Sequence, residues 1–329
     1  MLILGSASDI AIAEKTVKIL EKLEITYTVK VASAHRTHEK VKELVQEGTN
    51  AGVEVFIAIA GLAAHLPGVI AAYTNRPVIG VPVEANFGGL DALYASNQMP
   101  FPVPVATVGI GRGDNAGILA GEIIATYDDK VKENISKIRK EYKDKVESGE
   151  EEVLSKLNGE YLDKDFLSDL ETDTINVESV ENPPSVCIVA GSYSDMDIAK
   201  KIKYSLERLE ISYDLKIISP LRNPEEFEKY IRSMSGVKLF IAVNGLSALV
   251  AGSIVGLTEK PVIGVPRSSE YNLMDSLLSM VQMPPGVPIA TVGVNNGGNA
   301  AILAGEIVGL SNEKVSENIN EAKKQGDII

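Results

Sequence analysis

Val78-Ile79-Gly80-Val81-Pro82 returns unchanged as Val262-Ile263-Gly264-Val265-Pro266, 184 positions later. The same spacing holds outward from it. Gln98-Met99-Pro100 returns as Gln282-Met283-Pro284, and Ile118-Leu119-Ala120-Gly121-Glu122-Ile123 as Ile302-Leu303-Ala304-Gly305-Glu306-Ile307. From Asp91 to Ile123, 20 of 33 positions are identical at this offset, so the match is a duplication and not chance composition. Nearer the N-terminus the offset becomes 186, pairing Gly5-Ser6 with Gly191-Ser192 and Ser8-Asp9 with Ser194-Asp195. Two copies of so long a period imply a duplicated domain, not a solenoid. We expect a first module over 1–145, a linker over 146–184 and a second module over 185–329. The linker carries 12 Asp/Glu against 2 Lys, so most of the net charge of −13 sits there. Glu150 to Leu157 continues a helical pattern, and Asn182-Pro183-Pro184 reads as extended spacer.

Each copy alternates β-branched runs with helical patterns. In the first, strands are predicted at Leu2–Leu4, Tyr27–Ala32, Val53–Ala60, Pro77–Val81 and Val105–Val108. Helices are predicted at Asp9–Leu23, Thr37–Gly48, Ala64–Tyr73, Gly89–Ser96 and Asn115–Tyr127, with another from Lys130 onward. Apolar strands alternating with helices imply a parallel sheet covered on both faces. The fold class is therefore α/β: two tandem flavodoxin-like, three-layer (αβα) domains, each with a parallel sheet.

Composition narrows the function. The chain has 329 residues, 45% hydrophobic and 23% charged, which is globular material for two domains. No apolar run approaches a membrane span, and Met1–Gly5 lacks the basic start of a signal peptide, so a cytoplasmic protein is expected. One cysteine rules out an intramolecular disulfide. Forty-five acidic against 32 basic residues argue against nucleic acid or anionic membrane as partners.

In doubly wound sheets, ligands bind beyond the carboxyl ends of the strands. Three polar clusters fall there: Gly5-Ser6-Ala7-Ser8-Asp9, Ser33-Ala34-His35-Arg36-Thr37 and Gly61-Leu62-Ala63-Ala64-His65-Leu66-Pro67-Gly68. Their strands are neighbours in a flavodoxin-like order, so the clusters should converge. The first suits an anion at a helix N-terminus, or is simple N-capping by Ser8 or Asp9. The second pairs a guanidinium with an imidazole that titrates near neutrality, or is a surface loop with an incidental histidine. His38 follows His35 by three positions, but there is no cysteine partner and no His-Glu-x-x-His pattern, so no metal is expected. Gly109-Ile110-Gly111-Arg112-Gly113 follows the fifth strand and lacks the acidic residue of a dinucleotide site. Cys187 reads as a buried small hydrophobe.

Taken in order, Gly-Ser-x-Ser-Asp, Ser-Ala-His-Arg-Thr, Ala-Ala-His-Leu-Pro-Gly, Pro-Val-Ile-Gly-Val-Pro-Val and Gln-Met-Pro resemble the class I AIR carboxylase family. The resemblance covers about 1–127 and again about 185–310. It implies a three-layer α/β fold, octameric assembly with sites at subunit boundaries, and no metal or organic cofactor. The activity it implies is the N5-carboxyaminoimidazole ribonucleotide mutase step of de novo purine synthesis, which moves a carboxylate from an exocyclic nitrogen to C4 of the ring. By the resemblance, His35 is the general acid/base, and Ser6, Asp9 and Arg36 bind the ribonucleotide. Ser8 and Ser33 neighbour them, and His65 shapes the pocket.

The second copy departs from this pattern. It keeps Gly191-Ser192-Tyr193-Ser194-Asp195 and Arg222, but has Leu221 for His35 and Leu249 for His65. Leucine transfers no proton. The first copy in turn has Leu62 where the family usually has glycine, and His38 where proline is usual. We therefore expect a catalytic first module, a second module that completes neighbouring sites, and four two-module chains in a homo-oligomer. Two other functions stay open: a carboxylase that uses free carbon dioxide, and a nucleotide-binding regulator without turnover.

Overall fold

The computed structural model describes residues 1–157, 177–269 and 274–326. Within the expected linker, 158–176 lies outside the described residues. The first module contributes strands β1 (Leu2–Leu4), β2 (Val29–Val31), β3 (Phe56–Gly61), β4 (Val78–Val83) and β5 (Ala106–Thr107). Between and after them come helices α1 (Ile10–Lys22), α2 (His38–Asn50), α3 (Leu66–Tyr73), α4 (Leu90–Asn97), α5 (Gly113–Ile124), α6 (Asp129–Glu147) and α7 (Gly149–Lys156). The second module repeats the plan with β6 (Val186–Ala190), α8 (Met196–Arg208), β7 (Tyr213–Ile217), α9 (Pro224–Ser233) and β8 (Leu239–Asn244). It continues through α10 (Leu249–Leu257), β9 (Val262–Pro266), α11 (Met274–Val281), β10 (Ala290–Thr291), α12 (Gly297–Gly309) and α13 (Glu313–Gln325).

Both modules have the flavodoxin-like strand order, but they do not hold separate sheets. All ten strands form one sheet ordered β2-β1-β3-β4-β5-β10-β9-β8-β6-β7. Pairing is parallel within each half and antiparallel at the join, where Thr107 faces Thr291. The duplication thus becomes a pseudo-twofold axis through the join.

Strand side chains alternate between two apolar layers, as a pleated sheet requires. Leu2, Leu4, Ile57 and Ile59 face one layer; Ile3, Phe56, Ala58 and Ala60 face the other. The first layer is continuous across both modules and is closed by α1, α5, α6, α8, α12 and α13. The opposite face is covered module by module, by α2, α3 and α4 and then by α9, α10 and α11. Cys187 lies in that second layer with its thiol against Tyr230 Oη at 3.1 Å, and burial pushes its pKa up to about 12. Glycine sets the closest helix approach. A Cβ at Gly113 would stand 2.2 Å from the Ile12 carbonyl of α1, and its counterpart Gly297 meets Ile198 of α8 in the same way. The Tyr27–Ala32 strand shrinks to three exposed residues because β2 is an edge of the sheet.

The modules exchange contacts in matched pairs. Asn115 Nδ2 donates to the Met283 and Pro284 carbonyls, and Asn299 Nδ2 to those of Met99 and Pro100. Arg139 of α6 reaches into the second module, and its counterpart Lys323 of α13 reaches back to the Ala71 and Thr74 carbonyls. Behind them lie buried carboxyls. Glu122 is 3.6 Å from Arg139, and Glu306 is 2.5 Å from Lys323. Burial outweighs these cations, raising Glu122 from 4.5 to about 8 and Glu306 to about 7. A carboxyl whose folded pKa lies above its unfolded value favours folding while protonated. Stability should therefore fall as pH rises from about 4.5 through 8. The urea midpoint should be lower at pH 8.5 than at pH 5.5, and Glu122→Gln should flatten the decline. A rising midpoint would mean that the ion pairs dominate.

Candidate active site

Each loop of the site is built by local chain chemistry. Gly5 leaves β1, and Ser6 caps the short turn Ala7–Asp9 that opens α1. The Ser6 amide donates to Asp9 Oδ2 at 3.1 Å, the Ser8 amide to Ser6 Oγ at 3.3 Å, and Ser8 Oγ to Asp9 Oδ1 at 3.1 Å. Capping is thus real here, in a box formed by Ser6 and Asp9, and it leaves the helix N-terminus facing the cavity. Burial raises the Asp9 pKa, opposed by the hydrogen bonds from Ser8 and the Ser6 amide.

The loop after β2 is tied by Ser33 and Thr37. The Ser33 amide donates to Thr37 Oγ1 at 2.8 Å, and the Thr37 amide returns to the Ser33 carbonyl at 2.9 Å. Arg36 lies across this turn, with Nε 3.4 Å from Ser33 Oγ and Nη2 3.4 Å from the Gly5 carbonyl. After β3 the chain turns through Leu62 and Ala64, both at positive φ, and delivers His65 to the start of α3, where Pro67 sits in the first turn. Leu62 at φ 56° occupies backbone that glycine takes without strain.

The three loops meet. Ser6, Ser8, Asp9, Ser33, His35, Arg36 and His65 all line one cavity of about 700 Å³ beyond the strand ends. His35 Nε2 lies 2.8 Å from His65 Nδ1, with the rings edge to face at 4.9 Å. One imidazole donates this hydrogen bond and the other accepts it, so the pair holds a proton between two bases. The Gly61-Leu62-Ala63-Ala64 loop supplies a wall of small and apolar groups.

His38 does not join them. Its Nε2 meets Tyr73 Oη at 3.2 Å, and it does not line the cavity. The glycine run after β5 serves the module junction. Gly109 packs on Val281 and Gln282, and Arg112 is committed to Asp114 at 2.7 Å. Sequence reasoning missed the fourth wall, Val83-Glu84-Ala85 after β4. The signal was the strand order itself, because β4 neighbours β3 and its carboxyl end opens on the same side.

The second module builds the same cavity, smaller at about 400 Å³, from Ser192, Ser194, Asp195 and Arg222 with Leu221 and Leu249. Arg222 Nη2 donates to the Gly191 carbonyl at 2.6 Å, as Arg36 does to that of Gly5. Imidazoles are absent from that cavity.

Among known proteins, residues 1–145 and 185–327 match the family model for AIR carboxylase. A relative from Methanothermobacter thermautotrophicus, named a probable N5-carboxyaminoimidazole ribonucleotide mutase, is 54% identical over 99% of this chain and 97% of its own. A protein of the same name from Methanobrevibacter smithii is 51% identical over the same shares. The N5-carboxyaminoimidazole ribonucleotide mutase of Methanocaldococcus jannaschii is 54% identical over 46% of this chain and 95% of its own, so one module here spans nearly all of that protein. This chain belongs to the AIR carboxylase family, whose domain it carries twice in tandem.

Proposed function

We propose that the first module is an N5-carboxyaminoimidazole ribonucleotide mutase of purine biosynthesis, working in the cytoplasm without a cofactor. The His35–His65 contact of 2.8 Å, set in a cavity walled by Ser6, Ser8, Ser33 and Arg36, carries this reading. The substrate phosphate is anchored by Arg36, the serine hydroxyls and the α1 N-terminus, remote from the reacting atoms. Binding energy spent there positions the ring against His35.

His35 donates a proton to the exocyclic carbamate nitrogen. The carbon–nitrogen bond breaks and carbon dioxide is released into the cavity. Ring C4 attacks it, the new carbon–carbon bond forms, and the C4 proton passes to His35. One proton leaves the imidazole and one returns, so the step is an isomerisation needing no co-reactant. His65 holds the His35 ring in register. Gly61, Ala63 and Ala64 give carbon dioxide a dry surface.

The cavity is open in a single chain, where His35, Arg36 and Leu62 are exposed. Retaining carbon dioxide requires a cover. Exposed Ile10, Leu62 and Phe87 offer an apolar surface to a neighbouring chain. A tetramer of two-module chains supplies it, giving eight modules. Light scattering should then report about four times the 35.2 kDa chain mass; a monomer would remove this account of closure.

The direct test is turnover of N5-carboxyaminoimidazole ribonucleotide without ATP, followed by ultraviolet absorbance. A parallel reaction holds aminoimidazole ribonucleotide with bicarbonate. Rapid product only in the first is expected. Efficient product at low bicarbonate in the second would make the enzyme a carboxylase, and silence in both would leave a binding protein.

A further inference from the structure

The two imidazoles of the first module stand at the starts of two helices that pack side by side. His35 lies in the loop that enters α2, and His65 caps α3. Their 2.8 Å contact therefore depends on how firmly those entries are held against each other. The matching loop of the second module has a built-in lock. There Pro224 is the first residue of α9, and its ring fixes φ at a helical value. The same position in the first module is His38, whose backbone has no such restraint.

The geometry is nonetheless the same. Thr37, before His38, has φ −140° and ψ 51°; Asn223, before Pro224, has φ −138° and ψ 63°. In both loops that residue's amide donates to a serine carbonyl at 2.9 Å, Thr37 to Ser33 and Asn223 to Ser219. What differs is the side chain that follows. His38 Nε2 meets Tyr73 Oη at 3.2 Å, with the ring centroids 6.1 Å apart, edge to face. Tyr73 is the last residue of α3, the helix that His65 opens. Lys42, one turn on from His38, lies 6.0 Å from the centre of the same ring, and the Thr49 and Thr74 hydroxyls meet at 2.8 Å further along. The second module has Pro224 and Leu257 at the two positions. Imidazole and phenol occur together in one copy and are replaced together in the other.

We propose, on the reading that His35 transfers the proton, that His38 and Tyr73 are its positioning residues. Their hydrogen bond ties the entry of α2 to α3 and so holds His35 on His65, a restraint that a proline ring supplies at Pro224. His38 itself does not line the cavity. It acts through the loop it anchors, which carries His35 and Arg36. A displacement of about 1 Å at reacting groups lowers rate by about 10²-fold, so a modest loosening is measurable.

His38→Ala removes the tie and supplies no other restraint, so kcat/KM should fall about tenfold. Tyr73→Phe keeps the ring beside Lys42, loses only the hydroxyl, and should give the same loss. The double variant should be no worse than either single one, since each removes the same bond. His38→Pro should restore turnover to within about twofold of wild type, because proline restrains the entry without an imidazole. Urea midpoints should stay close to wild type throughout, as the bond is exposed. A second readout needs no substrate. The chain has three histidines, so nitrogen-15 NMR resolves each ring. The His35 and His65 resonances should move toward those of free imidazole in His38→Ala and return in His38→Pro. Unmoved resonances in His38→Ala would overturn the proposal, as would a His38→Pro variant as impaired as His38→Ala. Should wild type lack mutase turnover, the resonances still decide whether this tie holds the pair.

Discussion

His35→Asn should lower kcat by about 10³-fold or more while leaving the far-ultraviolet spectrum and urea midpoint near wild type. His35 is exposed, so its loss opens no core cavity. Asparagine still offers an amide to His65 Nδ1, now 2.8 Å from His35 Nε2, but it carries no transferable proton. The proposed substrate anchors Ser6, Ser33 and Arg36 remain, so KM should move by less than about tenfold, which separates a proton-transfer defect from a binding defect. Retention of a tenth of the activity would refute the assignment of the acid/base to His35. His65→Asn should fall between the two, because it removes the partner of the ring and not the ring itself.

Arg139→Met should cost about 3–5 kcal/mol of stability, read as a lowered urea midpoint. Its guanidinium is 13% exposed and donates to the carbonyls of Gly286 at 2.7 Å, Val255 at 3.0 Å and Thr258 at 2.8 Å. All three belong to the second module, whereas α6 belongs to the first. Methionine fills the space but takes the guanidinium donor from three part-buried carbonyls, and leaves Glu122 without its neighbouring cation. The transition should also broaden, since the modules lose a clamp and not a core residue. Lys323→Met is the internal comparison. It removes two carbonyl contacts, one of them at 3.3 Å, together with the 2.5 Å pair to buried Glu306, and should cost a comparable amount. A change below about 1 kcal/mol for Arg139→Met would mean that the continuous sheet alone holds the modules together.

Several features of this architecture are legible in the amino-acid sequence. The 184-residue repeat fixed the duplication, and strand–helix alternation fixed the doubly wound class. Helix starts and strand runs followed from apolar periodicity, which reports how a side chain's faces are buried. The convergence of the three polar loops on one cavity was legible because the strand order makes their positions predictable. The fourth loop was overlooked, and with it Glu84 of the first cavity and Arg267 of the second.

The amino-acid sequence by itself determined the repeated modules, their strands and helices, and which copy carries the histidines that line its cavity. These are local or periodic properties, and each is written within one module. Tertiary structure decided three other matters: that β5 and β10 join two parallel halves into one sheet, that α6 and α13 clasp the opposite modules, and that His35 and His65 come within 2.8 Å. Ala106-Thr107 and Ala290-Thr291 read alike whether an edge is free, covered or paired, because side-chain pattern records burial of the faces and backbone edges carry no letters of their own. The pairing of two imidazoles 30 residues apart likewise depends on the close packing of β1, β2 and β3, which only the folded chain brings together.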